Sequence, residues 1–288
     1  MSIIEKVLDK IEHEEKPQAS SESKTKTESK KIGSLTKPSA PDDEGKNSRE
    51  LFEIDFEKLK QVGILTPDTV NITLSEQFRR IKIPLMANAF GKEALDSPRS
   101  NLIMVTSSLQ NEGKSFTSFN MAMSIAKEFN NTVLYIDADV TQRMLNRYIG
   151  VKEQAGLVEY LLEDERSLSE LLIKTNVPRL TLLPSGRNYD RVTEMWASNR
   201  MQNLMQELSE RYSDRLVIFD APPLLQDSSA TILAQQVGQV VIVVEAEKTP
   251  RHVVEEALNT IESAPFIGLV LNKSNQLDLS EYGYYYPA

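Results

Sequence analysis

The sequence contains no cysteine among its 288 residues, which excludes disulfide bonds and thiolate chemistry. Its two histidines, His13 and His252, are far apart in the sequence and offer no cluster for a transition metal. Any metal is therefore expected to be a hard cation held by oxygen ligands, such as Mg²⁺. No apolar run approaches the roughly 20 residues of a membrane span, and the N-terminus lacks the apolar segment of a secretory signal. We therefore expect a cytoplasmic protein that reaches a membrane only through a partner.

Basic residues are outnumbered, with 33 against 42 acidic ones and a net charge of -9. This balance argues against a nucleic-acid partner, because proteins that neutralise phosphates usually carry a basic excess. The hydrophobic content of 40% is enough for a sizeable core, in one large α/β domain or in two small ones.

The most informative stretch is Ser108-Leu-Gln-Asn-Glu-Gly-Lys-Ser115, which follows the apolar run 102–106 and precedes an amphipathic segment. Strand, loop and helix in this order predict a phosphate-binding loop. In such loops backbone N–H groups and the helix N-terminus bind phosphates, while Lys114 reaches the β- and γ-phosphates and Ser115 binds Mg²⁺. Ser108 stands where the motif has its first glycine. The alternative is a chance Gly-Lys-Ser sequence before a helix. The predicted nucleotide-binding residues are Gln110, Asn111, Glu112, Gly113, Lys114, Ser115 and Phe116.

After residue 100 the chain alternates strand and helix patterns, which is typical of a doubly wound α/β fold. We expect a P-loop NTPase-like, mainly parallel sheet with helices on both faces. The predicted strands are 102–106, 133–137, 180–183, 216–220, 240–245 and 267–272. The predicted helices are 115–129, 198–212 and 251–263.

Two of these strands end in carboxylates, where open parallel sheets bind ligands. Asp137 and Asp139 end one strand and Asp220 ends another, and we assign Asp137 and Asp220 to the Mg²⁺ shell with Ser115. Asp139 is assigned to positioning or deprotonating the acceptor, although capping of the next helix is an alternative role for it. Asn272 and Lys273 end the last strand and are expected to hydrogen-bond or stack against adenine.

The whole chain divides into five predicted segments. Residues 1–15 predict an amphipathic docking helix, with a weakly structured tail as the alternative, and residues 16–49 predict a disordered polar linker. Residues 50–72 predict an ordered extension, followed by the main domain over 73–278. That domain is expected to open with a helix over 73–89, kinked or interrupted at Pro84.

The final segment, 279–288, is a predicted flexible tail with a cluster of tyrosines. Exposed phenols on a mobile end favour a role as substrates that enter a neighbour's active site. The alternative is a sticky tail or a strand added to a sheet edge. The expected phospho-acceptors are Tyr282, Tyr284, Tyr285 and Tyr286.

Together these motifs resemble the bacterial tyrosine kinases of capsule and exopolysaccharide export. Ser108–Ser115, Val133–Asp139 and Leu216–Asp220 resemble the three Walker motifs of that family, and Tyr282–Tyr286 resembles its tyrosine cluster. Glu76, Arg79 and Lys82 resemble its Glu-x-x-Arg-x-x-Arg interface motif, with lysine in place of the last arginine. The alternative for these three residues is a solvated helix face with local ion pairs. Thr141 stands where the family commonly has arginine, a place that Arg143 is a candidate to fill. The first 68 residues resemble the subgroup encoded beside exosortase systems.

The resemblance implies an ATP- and Mg²⁺-dependent protein-tyrosine autokinase with Lys114, Asp137, Asp139 and Asp220 as catalytic residues. It also implies a homo-oligomeric ring that presents each tail to the next subunit. The implied partners are a membrane chain-length-determinant adaptor, which would recruit the protein to the inner membrane, and a cognate phosphotyrosine phosphatase. Two other functions remain open: a non-kinase ATPase switch of the partition or septum-site type, and an adaptor whose nucleotide site is only structural. The switch proteins carry a signature lysine early in the loop, at the place of Leu109.

Overall fold

The computed structural model describes residues 51–91, 97, 99–128, 131–163 and 165–274. The chain divides into two units, Met1–Asn47 and Ser48–Ala288, and the described residues all belong to the second. The predicted docking helix, the linker and the tyrosine tail lie outside the described residues, so these three segments stay predictions.

The second unit alternates helices and strands along the chain. The helices are α1 Phe56–Gln61, α2 Ile72–Phe90, α3 Lys114–Ala126, α4 Leu157–Leu162, α5 Leu168–Leu171, α6 Val192–Trp196, α7 Asn199–Glu210, α8 Ser228–Ala234 and α9 Arg251–Asn259, with a π-helical turn at Leu145–Ile149. The strands are β1 Leu102–Ser107, β2 Thr132–Asp137, β3 Ile173–Lys174, β4 Leu180–Leu183, β5 Arg215–Asp220, β6 Gln239–Glu245 and β7 Ile267–Asn272.

The seven strands form one sheet in the order β3-β4-β2-β5-β1-β6-β7. Every neighbouring pair is parallel except β3 and β4, which are antiparallel. The six predicted strands and the P-loop NTPase-like α/β fold are confirmed. The sequence analysis missed β3, because two residues are too short to show a periodic pattern.

Strand β1 is buried along its whole length and β6 up to its last residue, as the apolar runs of a parallel sheet require. Helix α3 packs into this core, and its residues 117–126 are all buried. The ring of Phe119 meets the ring of Tyr135 on β2 edge to face, with centroids 5.2 Å apart. The helix that follows the phosphate-binding loop is therefore fixed by its contacts with the sheet.

The described part of the N-terminal extension packs against the same helix. Its side chains Leu59, Ile64 and Leu65 belong to the core cluster. The buried backbone N–H of Leu65 donates to Asn120 Oδ1 on α3 over 2.7 Å, and the amide of Asn120 donates to the carbonyl of Phe116. The extension is thus joined directly to the first turns of α3.

Helix α2 runs without interruption from Ile72 to Phe90, through Pro84. The expected interruption at Pro84 is therefore wrong, and the alternative of a kink there stays a prediction. Pro84 lies on the exposed side of the helix, where water can bind the carbonyl group that loses its helical partner.

Candidate active site

The phosphate-binding loop joins β1 to α3 through two residues with left-handed backbone angles, Asn111 at φ 66° and Gly113 at φ 100°. Gly113 is required for two reasons, because an L side chain is strained at that angle and a Cβ there would overlap the amide of Asn272. Lys114 and Ser115 follow directly as the first residues of α3. The loop, its lysine and its serine have the arrangement that the sequence predicted.

Lys114 and Asp139 form a buried ion pair at the base of the loop, with Nζ 2.7 Å from Oδ2. The other oxygen of Asp139 accepts from the Thr141 hydroxyl over 2.7 Å and from the backbone N–H of Gln142 over 3.0 Å. Burial favours the protonated form of Asp139, but the charge and hydrogen bond of Lys114 outweigh burial and hold its pKa below the ordinary value. Asp139 is therefore a charged side chain that both holds Lys114 and caps the turn after β2.

Asp137 and Asp220 lie side by side, because β2 and β5 pair in register at these two residues. Both are fully buried. Asp137 Oδ2 accepts from the backbone N–H of Leu145 over 3.0 Å. Its Oδ1 and both oxygens of Asp220 find no hydrogen-bond donor within the described part of the chain. Burial raises the pKa of both carboxyls, and that of Asp137 lies well above its usual range because Asp220 adds a like charge.

Buried carboxylate oxygens without donors are ligands for a hard cation. Among the residues that the structure describes, no three His, Cys, Asp or Glu side chains form a ready-made metal site. Mg²⁺ needs no such cage, since it is usually held by one or two carboxylates, water and substrate phosphates. Asp137, Asp220 and Ser115 therefore fit the role that the sequence gave them, and their binding of a metal stays a prediction.

A cavity of about 330 Å³ opens beside the loop. Of the predicted nucleotide-binding residues, Glu112 and Asn272 do not line the cavity, whereas the other seven do: Gln110, Asn111, Gly113, Lys114, Ser115, Phe116 and Lys273. The sequence analysis missed the rest of its lining, which comes from the extension and from the segment after β2: Val62, Ile64, Gln142, Met144, Arg147 and Tyr148. No motif marks these residues, because they reach the cavity only through packing of distant segments. The cavity has a polar end at the loop and an apolar wall.

Asn272 and Lys273 contact the loop itself. The amide of Asn272 donates to the carbonyl of Glu112 over 2.9 Å, and Nζ of Lys273 donates to the carbonyl of Asn111 over 2.6 Å. Lys273 also pairs with Glu245 at 3.2 Å. Both side chains support the loop backbone, a role that the sequence did not predict. Contact of either residue with adenine stays a prediction, and only Lys273 lines the cavity.

The three predicted interface residues on α2 differ in exposure, since two are exposed and one is buried. Arg79 pairs with Glu76 at 3.2 Å on the exposed surface. Lys82 is buried, and its Nζ donates to the carbonyl of Ser124 and pairs with Glu128, both at 2.7 Å. The expectation that all three present one contact surface is therefore wrong for Lys82, which links α2 to the end of α3.

Two departures from the family motifs have local explanations. Thr141 binds the Asp139 carboxylate with both its hydroxyl and its backbone N–H. Arg143 pairs through its guanidinium with Glu153 at 2.6 Å. The hydroxyl of Thr141 thus occupies the place beside Asp139, and Arg143 does not substitute there.

No helix in the described ranges has the length and apolar character that crossing a membrane requires. The acceptor tyrosines Tyr282, Tyr284, Tyr285 and Tyr286 lie outside those ranges.

Comparison with known proteins gives matches of three kinds. Residues 101–268 match the family model described as an AAA domain. The chain is 30% identical to tyrosine-protein kinase YwqD of Bacillus subtilis (strain 168) over 227 residues, 78% of this chain and 90% of that protein. It is 34% identical to tyrosine-protein kinase ptk of Acinetobacter johnsonii over 181 residues, 62% of this chain but 24% of that protein. A crystal structure of the chimerical protein CapA2B2 is 26% identical, with a TM-score of 0.60 over 76% of this chain and 92% of that chain.

The chain therefore spans most of one relative and about a quarter of another. The resemblance to the exosortase-associated subgroup stays a prediction. The AAA-domain match covers more than half of the chain, and the match to YwqD covers nearly all of that kinase. Together these matches show that the chain belongs to the bacterial tyrosine-protein kinase family.

Proposed function

We propose that this chain is an ATP- and Mg²⁺-dependent protein-tyrosine autokinase that phosphorylates its C-terminal tyrosine cluster. The observation that carries the proposal is the pairing of Asp137 with Asp220 next to the Lys114–Asp139 ion pair. A buried cluster of three carboxylates and one ammonium is costly for an apoprotein and is explained by a ligand that brings positive charge.

Each side chain has a distinct role in the proposed reaction. The loop N–H groups and Lys114 bind the β- and γ-phosphates, while Ser115, Asp137 and Asp220 hold Mg²⁺, which supplies charge neutralisation at the phosphates. Asp139 is the proposed residue that positions the acceptor phenol or accepts its proton. Catalysis then depends mainly on positioning and on charge stabilisation.

The acceptors are proposed to be Tyr282, Tyr284, Tyr285 and Tyr286, supplied by another subunit. Phosphorylation would add about -1.5 to -2 charges per tyrosine, which favours release of a tail from an acidic surface. Glu76 and Arg79 are exposed on α2 and are the proposed contacts between subunits of a ring.

The proposed partners follow from the family. Curated relatives are named tyrosine-protein kinases, and the motifs of this chain resemble those of the exopolysaccharide-export kinases, which supports a role in exopolysaccharide polymerisation or export. We propose that a membrane chain-length-determinant protein recruits the chain to the inner membrane and activates it. A cognate phosphotyrosine phosphatase would remove the phosphates from the tail tyrosines.

The test is intact-mass analysis and phosphotyrosine mapping of the purified full chain after incubation with ATP and Mg²⁺. A matched variant truncated before Tyr282 serves as the control. We expect phosphate on the tail tyrosines of the full chain and none on the truncated chain. Mixing a Lys114→Met chain that has an intact tail with the active truncated chain tests transfer between subunits, and phosphate on the Lys114→Met chain is expected.

ATP hydrolysis without any phosphotyrosine, even with the cytoplasmic segment of an adaptor present, would contradict the proposal. That result would favour the ATPase switch. The match to named tyrosine kinases and the presence of Leu109 at the place of the switch lysine both favour the kinase.

A further inference from the structure

The phosphate-binding loop is held by side chains from the two turns that follow β6 and β7. The β7 turn supplies Asn272 and Lys273, which bind the carbonyls of Glu112 and Asn111. The β6 turn supplies Thr249, whose hydroxyl donates to Oε1 of Glu112. Three side chains that lie more than 130 residues from the loop in the sequence thus fix two consecutive residues of it.

These contacts set the direction of the loop's peptide groups. In a trans peptide the carbonyl of one residue points away from the N–H of the next. Because the carbonyls of Asn111 and Glu112 point to Lys273 and Asn272, the N–H groups of Glu112 and Gly113 point in the opposite direction. N–H groups aligned in this way form the cradle that phosphate-binding loops provide.

The side chain of Glu112 connects the β6 turn to the backbone of the phosphate-binding loop. It is 2% exposed, so its carboxylate needs donors from the protein. Oε2 accepts from the backbone N–H of Leu109 over 2.6 Å, and the Thr249 hydroxyl binds Oε1. The backbone N–H of Thr249 in turn donates to the carbonyl of Glu245 over 3.1 Å, which fixes the turn.

We infer that Thr249 is a positioning residue for the nucleotide, acting through Glu112 on the shape of the phosphate-binding loop. Without the hydroxyl, one oxygen of a buried carboxylate loses its donor, and Glu112 is free to turn and release the N–H of Leu109. The loop then samples shapes in which fewer N–H groups face the phosphates. This inference rests on the proposed function, because it takes MgATP as the ligand.

The test compares Thr249→Val, Thr249→Ser and Thr260→Val in the full chain. Valine keeps the shape of threonine and removes the hydroxyl, whereas serine keeps the hydroxyl. Thr260 is a matched control, since its hydroxyl donates to the carbonyl of Ala257 at the end of α9, away from the loop. The Kd for MgATP is measured by titration calorimetry, together with thermal unfolding without nucleotide and the rate of tail phosphorylation.

Thr249→Val is expected to weaken MgATP binding about tenfold, the effect of one hydrogen bond to a charged group. Thr249→Ser keeps the hydroxyl and is expected to keep the wild-type Kd. Thr260→Val is also expected to keep the wild-type Kd. An unchanged Kd in Thr249→Val would overturn the inference, as would failure of Thr249→Ser to restore binding. Wild-type chain that binds MgATP but transfers no phosphate would contradict the kinase activity instead, and the Kd values would still decide the role of Thr249.

Discussion

The ammonium group of Lys114 lies 2.7 Å from the carboxylate of Asp139, and both side chains are buried. Burial alone would lower the pKa of Lys114, but the charges of Asp220, Asp139 and Asp137 raise it above its ordinary value. Lys114 is therefore firmly charged before any nucleotide binds. In the proposed function, this ion pair holds the ammonium group at the base of the loop until a phosphate binds it.

Replacing Lys114 by methionine is expected to abolish tail phosphorylation, because the variant loses the cation that stabilises charge on the transferred phosphoryl group. It should also destabilise the nucleotide-free chain by about 3 kcal/mol, since three buried carboxylates lose their shared counterion. Phosphotyrosine mapping and urea unfolding measure the two effects. Lys174→Met, at an exposed position on β3, is the control. Retention of phosphotyrosine in Lys114→Met would contradict the assignment.

Replacing Asp220 by asparagine is expected to separate stability from activity. The variant removes one of three clustered carboxylates, so the nucleotide-free chain should gain about 1 kcal/mol, or a few degrees in Tm. Phosphotransfer should fall by at least about a hundredfold, because Mg²⁺ loses a ligand. Calorimetric unfolding without nucleotide and Mg²⁺ tests the first effect. A lower Tm would contradict the destabilising effect of the clustered carboxylates.

The stability gained by Asp220→Asn should depend on pH. Both Asp137 and Asp220 have pKa values above the ordinary 3.8 in the folded chain, so the folded state binds their protons more tightly than the unfolded state. The wild-type chain therefore loses stability as the pH rises from the ordinary value through the raised folded pKa. Urea unfolding should show a larger gain for the variant at about pH 8 than at a pH near the ordinary carboxyl pKa of 3.8. An equal gain at both values would contradict the raised pKa of Asp220.

The two basic residues of the α2 motif should respond differently to mutation. Lys82→Met is expected to cost about 1–2 kcal/mol, because a buried carbonyl at Ser124 loses its donor. Arg79→Ala is expected to change stability by less than about 0.5 kcal/mol, since its ion pair with Glu76 is exposed. Sedimentation velocity measures assembly of each variant. A shift to smaller species only for Arg79→Ala would support a ring built through this surface, and unchanged assembly would contradict it.

Gly63 and Gly150 provide a matched pair for testing the cavity wall. Both have left-handed backbone angles, with φ of 77° and 80°, so alanine at either position should cost about 1 kcal/mol. A Cβ on Gly63 would lie 3.6 Å from the Phe116 ring, whereas a Cβ on Gly150 meets open space. Gly63→Ala should weaken MgATP binding several-fold and by more than Gly150→Ala, because only the Cβ on Gly63 would meet Phe116 of the cavity wall. Equal Kd values for the two variants would show that this turn does not contact the nucleotide.

The sequence by itself determined six of the seven strands, the phosphate-binding loop and the acidic ends of β2 and β5. These features are local, since a buried parallel strand is a continuous apolar run and the loop needs a small set of residues in fixed order. It also placed Asp137 and Asp220 at one sheet edge, because parallel strands end together.

Only the tertiary structure decided which side chains meet across large sequence separations. Lys82 turned out to be buried against α3, and the amide of Asn272 binds the loop, although both residues were read as exposed to a partner or ligand. Two further contacts, of Val62 with the cavity and of Thr249 with Glu112, were likewise not predictable from the sequence. Such contacts depend on how separate elements pack, and a side chain carries no local pattern that records its distant neighbour.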